Sequence, residues 1–139
     1  MSYRETYDWL MRDRSLARRI QRLLLQREEL LTCLETSTRY DQPYVQTSPD
    51  DKMAAVMAEV YELDGRIQQL QTEHALAVIE TAEAIELLDR EEERDVLTRY
   101  FVRREEVSAI AEAMNYSVSG IYKLRDRAVL RLGEKVGKK

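Results

Sequence analysis

The strongest constraint on the fold is a regular apolar pattern in the middle of the chain. Between Met53 and Leu88, mostly small or apolar side chains recur at alternating spacings of three and four residues. An α-helix with this heptad pattern presents one continuous seam to a partner helix, so we predict a long helix that begins at Pro49. The seam consists of Met53, Val56, Val60, Leu63, Ile67, Leu70, His74, Ala77, Thr81, Ala84 and Leu88.

A second amphipathic helix precedes this one, from near Tyr3 or Asp13 to about Thr36. Its apolar positions again follow spacings of three and four residues, with Leu16, Ile20, Leu23, Leu30 and Leu34 on one face and Arg27 at the position between Leu23 and Leu30. Residues 37–49 form a polar, proline-containing connector. Two such helices predict an antiparallel hairpin, but a coiled coil between two chains would use the same seams, and the sequence leaves both arrangements open.

The composition favours an all-α fold. The chain has only four Gly and two Pro in 139 residues, while 35% of its residues are charged and 44% are hydrophobic. Gly and Pro destabilise helix interiors, so their scarcity permits long helices. This balance is too apolar for a disordered chain and suits long amphipathic helices.

The net charge of −4 conceals an uneven distribution. Residues 36–89 hold 3 basic and 11 acidic side chains, whereas residues 90–139 hold 12 basic and 9 acidic ones. A basic C-terminal segment is compatible with nucleic acid as a partner. A second basic run on the first helix indicates the charged exterior of a hairpin, with a DNA flank or an acidic partner as alternatives; it comprises Arg12, Arg14, Arg18, Arg19, Arg22 and Arg27.

After Asp89 the pattern changes to three short helices, at about 90–101, 104–114 and 118–135. In the second of these, Val107, Ile110, Ala111 and Met114 share a face. Asn115 then suits a left-handed turn and Ser117 suits a helix cap. The order of small, turn, cap and apolar residues is typical of a helix-turn-helix. It predicts that four side chains are buried together: Met114, Ile121, Leu124 and Ala128.

The segment LDREEERDVLTRYFVRREEVSAIAEAMNYSVSGIYKLRDRAVLRL resembles the fourth conserved region of bacterial sigma factors. An acidic stretch, a "VL..RYF" helix, an "EEV..IA" helix and a closing "S.S.IY.LR.RA" helix carry this resemblance. With the "SPDDKMA" helix start upstream, the whole chain is similar to phage ArpU/RinA-type late transcription regulators. The resemblance implies a sigma-like, three-helix DNA-binding unit and a phage or prophage origin.

The predicted DNA-binding residues lie at the start of the last helix: Ser117, Ser119, Gly120, Tyr122, Lys123, Arg125 and Arg127. The resemblance is incomplete here, since sigma factors carry Arg and Glu where this chain has Val118, Ser119, Gly120, Tyr122 and Lys123. Few of these groups can read base edges, so we expect phosphate contacts to dominate. Arg125 and Arg127 are the predicted anchors, exposed together with Lys123.

Several functional classes find no support in the sequence. We find no Gly-rich phosphate loop, catalytic triad or HExxH motif, and therefore expect no enzyme, cofactor or metal site. Cys33 is the only cysteine, so no intramolecular disulfide can form. No apolar stretch resembles a signal peptide or a transmembrane helix, and we expect a cytoplasmic protein without a membrane partner.

These observations predict two segments: a long-helix hairpin or coiled coil at 1–88 and a helix-turn-helix unit at 89–139. The predicted function is binding of duplex DNA by a transcriptional regulator of phage or prophage late genes, acting as a homo-oligomer. Two alternatives remain open. One is a recognition subunit for phage DNA packaging, like a small terminase, and the other is an interaction module that binds RNA polymerase.

Overall fold

The computed structural model describes residues 1–39 and 49–137, with side chains described for 1–35 and 51–137. The predicted all-α class is confirmed, and the described residues contain no β-strand. The elements are α1 (Tyr3–Leu10), α2 (Arg12–Arg39), α3 (Pro49–Ile85), α4 (Glu91–Leu97), a π-helical turn (Thr98–Val102), α5 (Val107–Met114) and α6 (Val118–Val136). The predicted connector at 37–49 is thus helical at both ends, and its remainder, 40–48, lies outside the described residues.

The chain divides into two compact units. The hairpin unit comprises Ser15–His74, and the core unit comprises Met1–Arg14 together with Ala75–Lys139. This grouping does not follow the predicted segments 1–88 and 89–139, because the N-terminal residues pack against the C-terminal helix.

The hairpin unit pairs α2 with α3 inside one chain. Arg27 donates to Asp64 at 2.6 Å, while a group of α2 residues around Arg22 lines the same cleft as α3 residues around Leu70. Residue numbers therefore fall along α2 as they rise along α3, so the two helices are antiparallel. Four seam residues of α3 are at most 6% exposed here: Val60, Leu63, Ile67 and Leu70.

These four seam residues of α3 are thus buried within a single chain in this structure, as the hairpin alternative predicts. The prediction is wrong at the first seam position. Met53 is 45% exposed and does not belong to the buried face.

The core unit is built around α6. Helices α1, α4 and α5 all pack against it, and its centre contains Leu97, Phe101, Ile110, Ile121 and Leu132, each at most 1% exposed. Helix α1 approaches α6 very closely at Gly133. A Cβ added at Gly133 would collide with the Thr6 hydroxyl and would lie 2.8 Å from the Met1 carbonyl oxygen. Glycine is thus required where the two helices cross.

A break between α4 and α5 replaces part of a predicted helix. The segment 104–114 was predicted to be helical, but α5 begins only at Val107. The π-helical turn ends before Arg103, and the next residue, Arg104, adopts a left-handed conformation with φ of 56°. The Arg104 guanidinium donates to the buried carboxylate of Asp13 at 2.8 Å. The prediction failed because this long-range partner favours a strained backbone that local sequence does not indicate.

Candidate functional site

A three-residue turn joins α5 to α6. Asn115 ends α5 in the left-handed conformation with φ of 59°, and the Tyr116 N–H donates to the Ala111 carbonyl at 2.9 Å. Ser117 caps α6, its hydroxyl accepting from the Gly120 N–H at 3.0 Å. The predicted roles of Asn115 and Ser117 are therefore confirmed, since both satisfy backbone groups that a helix end leaves open.

The predicted inward face of α6 is also confirmed. Ile121 and Ala128 are fully buried and Leu124 is 2% exposed. Met114 is only half-buried, although it packs against the same cluster. This packing fixes which side of α6 faces away from the core.

Tyr116 connects the turn to α4 in a way that the sequence did not predict. Its hydroxyl donates to the Glu92 carboxylate at 2.7 Å. This hydrogen bond raises the pKa of Tyr116 above its ordinary value. The acidic run Glu91–Glu93 lies in the first turn of α4, as expected from the helix dipole. Through its hydrogen bond to Tyr116, Glu92 also orients the turn between α5 and α6.

Gly120 has a local role beside the predicted one. A Cβ at this position would lie 3.0 Å from the Ser117 hydroxyl and 3.4 Å from the Tyr116 ring. The missing side chain therefore leaves room for the cap and for the turn tyrosine. Gly120 is one of the predicted DNA-binding residues, but the requirements of the cap and the turn alone explain a small residue here.

The outward side of α6 carries the other predicted residues. Ser119, Tyr122, Lys123 and Arg127 are exposed, with Tyr122 at 42%. Within the part of the chain that the structure describes, neither Lys123 nor Arg127 forms an ion pair. These two cations are therefore available to an anionic ligand.

Arg125 contradicts the prediction that it is exposed. Only 13% of its side chain is accessible, and its guanidinium lies 4.9 Å from the centre of the Tyr100 ring, 5.0 Å from that of Tyr122 and 5.6 Å from that of Tyr7. It also donates to the Asp126 carboxylate at 3.0 Å. A stacked and paired guanidinium of this kind stabilises the fold, so Arg125 is a poor candidate for a DNA anchor.

The electrostatic environment supports this structural role. Burial alone would lower the pKa of Arg125, but the hydrogen bond to Asp126 and the neighbouring Tyr100 raise it above its ordinary value. Asp126 also accepts from the Tyr3 hydroxyl at 2.7 Å. This cluster could not be predicted from local sequence, because Tyr3 and Tyr7 come from the opposite end of the chain.

Two further cations of α6 are paired with carboxylates, one in α4 and one just before α4. Arg131 donates to the buried Glu93 at 2.5 Å, and Lys135 donates to Asp89 at 2.9 Å, which lowers the pKa of Asp89. Three of the five cations of α6, Arg125, Arg131 and Lys135, are thus paired with carboxylates inside the core unit. On the described part of α6, Lys123 and Arg127 remain.

Comparison of the chain with protein-family models, with curated proteins and with solved structures gives no match. No helix in residues 1–39 and 49–137 is long and apolar enough to cross a membrane. The same residues contain no group of three or more His, Cys, Asp or Glu side chains arranged to hold a metal ion.

Proposed function

We propose that this protein binds duplex DNA through the N-terminal half of α6 and acts as a transcriptional regulator, as the resemblance to sigma factors and phage late-gene regulators implies. The observation that carries the proposal is the α5–turn–α6 unit. Its turn is fixed by Asn115 and Ser117, and the helix that follows presents an outward side with two cations that form no ion pair among the described residues.

The proposed contacts divide into two kinds. Lys123 and Arg127 are four residues apart on an exposed side of α6, so both can reach phosphates of one backbone. Ser119 and Tyr122 lie on the same outward side, where a hydroxyl can bond to a base or phosphate and a ring can contact a thymine methyl. Arg125 is withdrawn from this set because its guanidinium is already stacked and paired.

The test is titration of a fluorescent duplex with the full chain at several salt concentrations. Each phosphate contact contributes a slope of about 0.9 in the logarithmic dependence of affinity on salt. Arg127→Gln and Lys123→Gln are each expected to lower that slope by about one unit. A cognate duplex for the titration is obtained by selection from a random pool with the unaltered protein.

Lys135→Gln is the matched control. It removes the same charge from the same helix, but its ammonium is held by Asp89, so we expect the salt slope to stay unchanged. Equal effects of Lys135→Gln and Arg127→Gln would show that only overall charge matters. Absence of any duplex binding by the unaltered protein would refute the proposal.

A second candidate function is binding of a protein, with RNA polymerase as the partner implied by the sigma resemblance. The observation in its favour is apolar exposure on the outward side of α6. Val118 is 47% exposed, Tyr122 is 42% exposed and Leu130 is 50% exposed, whereas a base-reading helix places hydrogen-bonding groups there. Retention of polymerase that is lost in Val118→Ser, with no binding to duplex DNA, would favour this function.

A further inference from the structure

A cleft between α2 and α3 gathers unpaired arginines in the hairpin unit. It has a volume of about 440 Å³ and is lined by Arg19, Arg22, Leu23, Arg66, Gln69, Leu70 and Glu73. This volume lies within the range of roughly 300–1,000 Å³ that is usual for small-molecule sites. No residue of this cleft belongs to the proposed DNA-binding surface.

The charges of the cleft are not compensated within the chain. Arg19, Arg22 and Arg66 are exposed, and none of them forms an ion pair with another described residue. Glu73 supplies the only carboxylate of the lining. Three guanidinium groups and one carboxylate give a local charge of +2, which is the charge that a dianionic ligand would neutralise.

The remaining lining residues indicate what the ligand carries besides its charge. Leu70 is 6% exposed and Leu23 is half-buried, so the least exposed lining residues are apolar. The Gln69 amide can both donate and accept hydrogen bonds. Two of the seven lining residues are apolar and the other five are polar or charged, so a mostly polar organic anion with a small apolar part suits the cleft better than a bare ion.

We propose that this cleft binds a small organic phosphate of the nucleoside monophosphate class. A phosphomonoester carries about −1.5 to −2 charges at pH 7 and accepts paired hydrogen bonds from guanidinium groups. Its nucleoside covers the apolar floor formed by Leu23 and Leu70. A phosphodiester in a DNA backbone carries a single charge per phosphate, which matches the cleft less well, and the site is concave where a duplex backbone is convex.

The test is calorimetric titration of the full chain with adenosine monophosphate, inorganic phosphate and adenosine. We expect the monophosphate to bind most tightly, inorganic phosphate to bind more weakly, and adenosine to show no binding. Arg22→Gln and Arg66→Gln are each expected to weaken monophosphate binding by about tenfold, since each removes a charged hydrogen bond. Arg18→Gln is the matched control, because Arg18 is an exposed arginine of α2 that does not line the cleft.

A variant that is expected to bind more tightly separates an effect on the site from a folding defect, because a misfolded chain would bind less. Glu73→Gln removes the carboxylate that repels the ligand, so we expect it to strengthen binding of inorganic phosphate several-fold. The proposal is overturned if no dianion binds, if Arg18→Gln weakens binding as much as Arg22→Gln, or if Glu73→Gln leaves phosphate affinity unchanged. It is also overturned if duplex DNA alone binds at the cleft arginines. These outcomes do not depend on DNA binding by α6, because none of the variants alters that helix.

Discussion

The two units of the chain use arginine differently. In the core unit, eight arginines lie against aromatic rings, backbone carbonyls or carboxylates, and Arg90, Arg103 and Arg127 are exposed. The eight are Arg4, Arg12, Arg14, Arg94, Arg99, Arg104, Arg125 and Arg131. In the hairpin unit, Arg27 is paired with Asp64, while Arg18, Arg19, Arg22 and Arg66 are exposed and form no ion pair with the described residues. The basic run predicted on the first helix therefore changes its role after Arg14.

The difference follows from what each unit offers to a guanidinium. The described aromatic rings belong mostly to the core unit, where Arg12 lies 3.9 Å above the centre of the Trp9 ring and Arg14 also donates to the Tyr100 carbonyl at 2.8 Å. In the hairpin unit, the described ring is that of Tyr61, which is 81% exposed. An arginine becomes structural where folding brings a ring or a carboxylate to it, and it stays available for a ligand where folding does not.

The largest expected effect is loss of core packing around α6. Ile121→Ala removes a fully buried side chain, and we expect a cost of about 2–5 kcal/mol in the free energy of unfolding. Chemical denaturation followed by circular dichroism measures it. Leu130→Ala is the control on the same helix, because Leu130 is 50% exposed and its truncation is expected to cost less than about 0.5 kcal/mol. A cost for Ile121→Ala below that of its control would contradict the assignment of this face to the core.

Periodicity and local signals were sufficient to predict most of the helices. The heptad pattern gave α3 and its partner face, and Asn115 and Ser117 marked the turn between α5 and α6, because capping and burial depend on neighbours within a few residues. The pattern did not predict the grouping into units. That grouping depends on α1 packing against α6 at Gly133, a contact between opposite ends of the chain.

The candidate site was predictable only in part for the same reason. Exposure of Lys123 follows from its position away from Ile121 and Leu124 on α6, and Arg127 follows Lys123 by one turn. Arg125 follows Ile121 by one turn and therefore lies on the buried side, but the rings of Tyr7 and Tyr100 that surround it there are distant in sequence. Charge counting likewise overstated the basic character of α6, since it could not show that Glu93 is buried against Arg131.

An intermediate effect on stability is expected when one arginine of each unit is replaced by glutamine. Arg125→Gln removes a guanidinium that stacks on three tyrosine rings and bonds to Asp126, and we expect a loss of about 1.5–3 kcal/mol in unfolding free energy. Arg22→Gln, at an exposed position of the hairpin unit, is expected to change it by less than about 0.5 kcal/mol. Thermal and denaturant unfolding measure both variants. If the two variants lost the same amount of stability, the contrast between the units would be contradicted.

The smallest effect concerns the tyrosines that pack near Arg125. Burial and the hydrogen bond to Asp126 raise the pKa of Tyr3 above its ordinary value, and the hydrogen bond with Tyr100 and burial raise the pKa of Tyr7. A raised pKa means that the folded state holds the phenol proton more tightly than the unfolded state. The resulting stability is fully present below the ordinary tyrosine pKa of about 10 and is lost as the pH rises through the higher folded-state value.

Tyr3→Phe is therefore expected to cost about 0.5–1.5 kcal/mol at neutral pH, the value of one hydrogen bond, and to make the alkaline decline in stability shallower. Denaturant unfolding at a series of pH values from neutral to strongly alkaline measures both effects. Tyr61→Phe in the hairpin unit is the control, since that residue is 81% exposed and its hydroxyl is expected to contribute little. An alkaline decline as steep in Tyr3→Phe as in the unaltered chain would show that the Tyr3–Asp126 hydrogen bond does not couple α1 to α6, and the core unit would then depend on apolar packing and the Arg125 cluster alone.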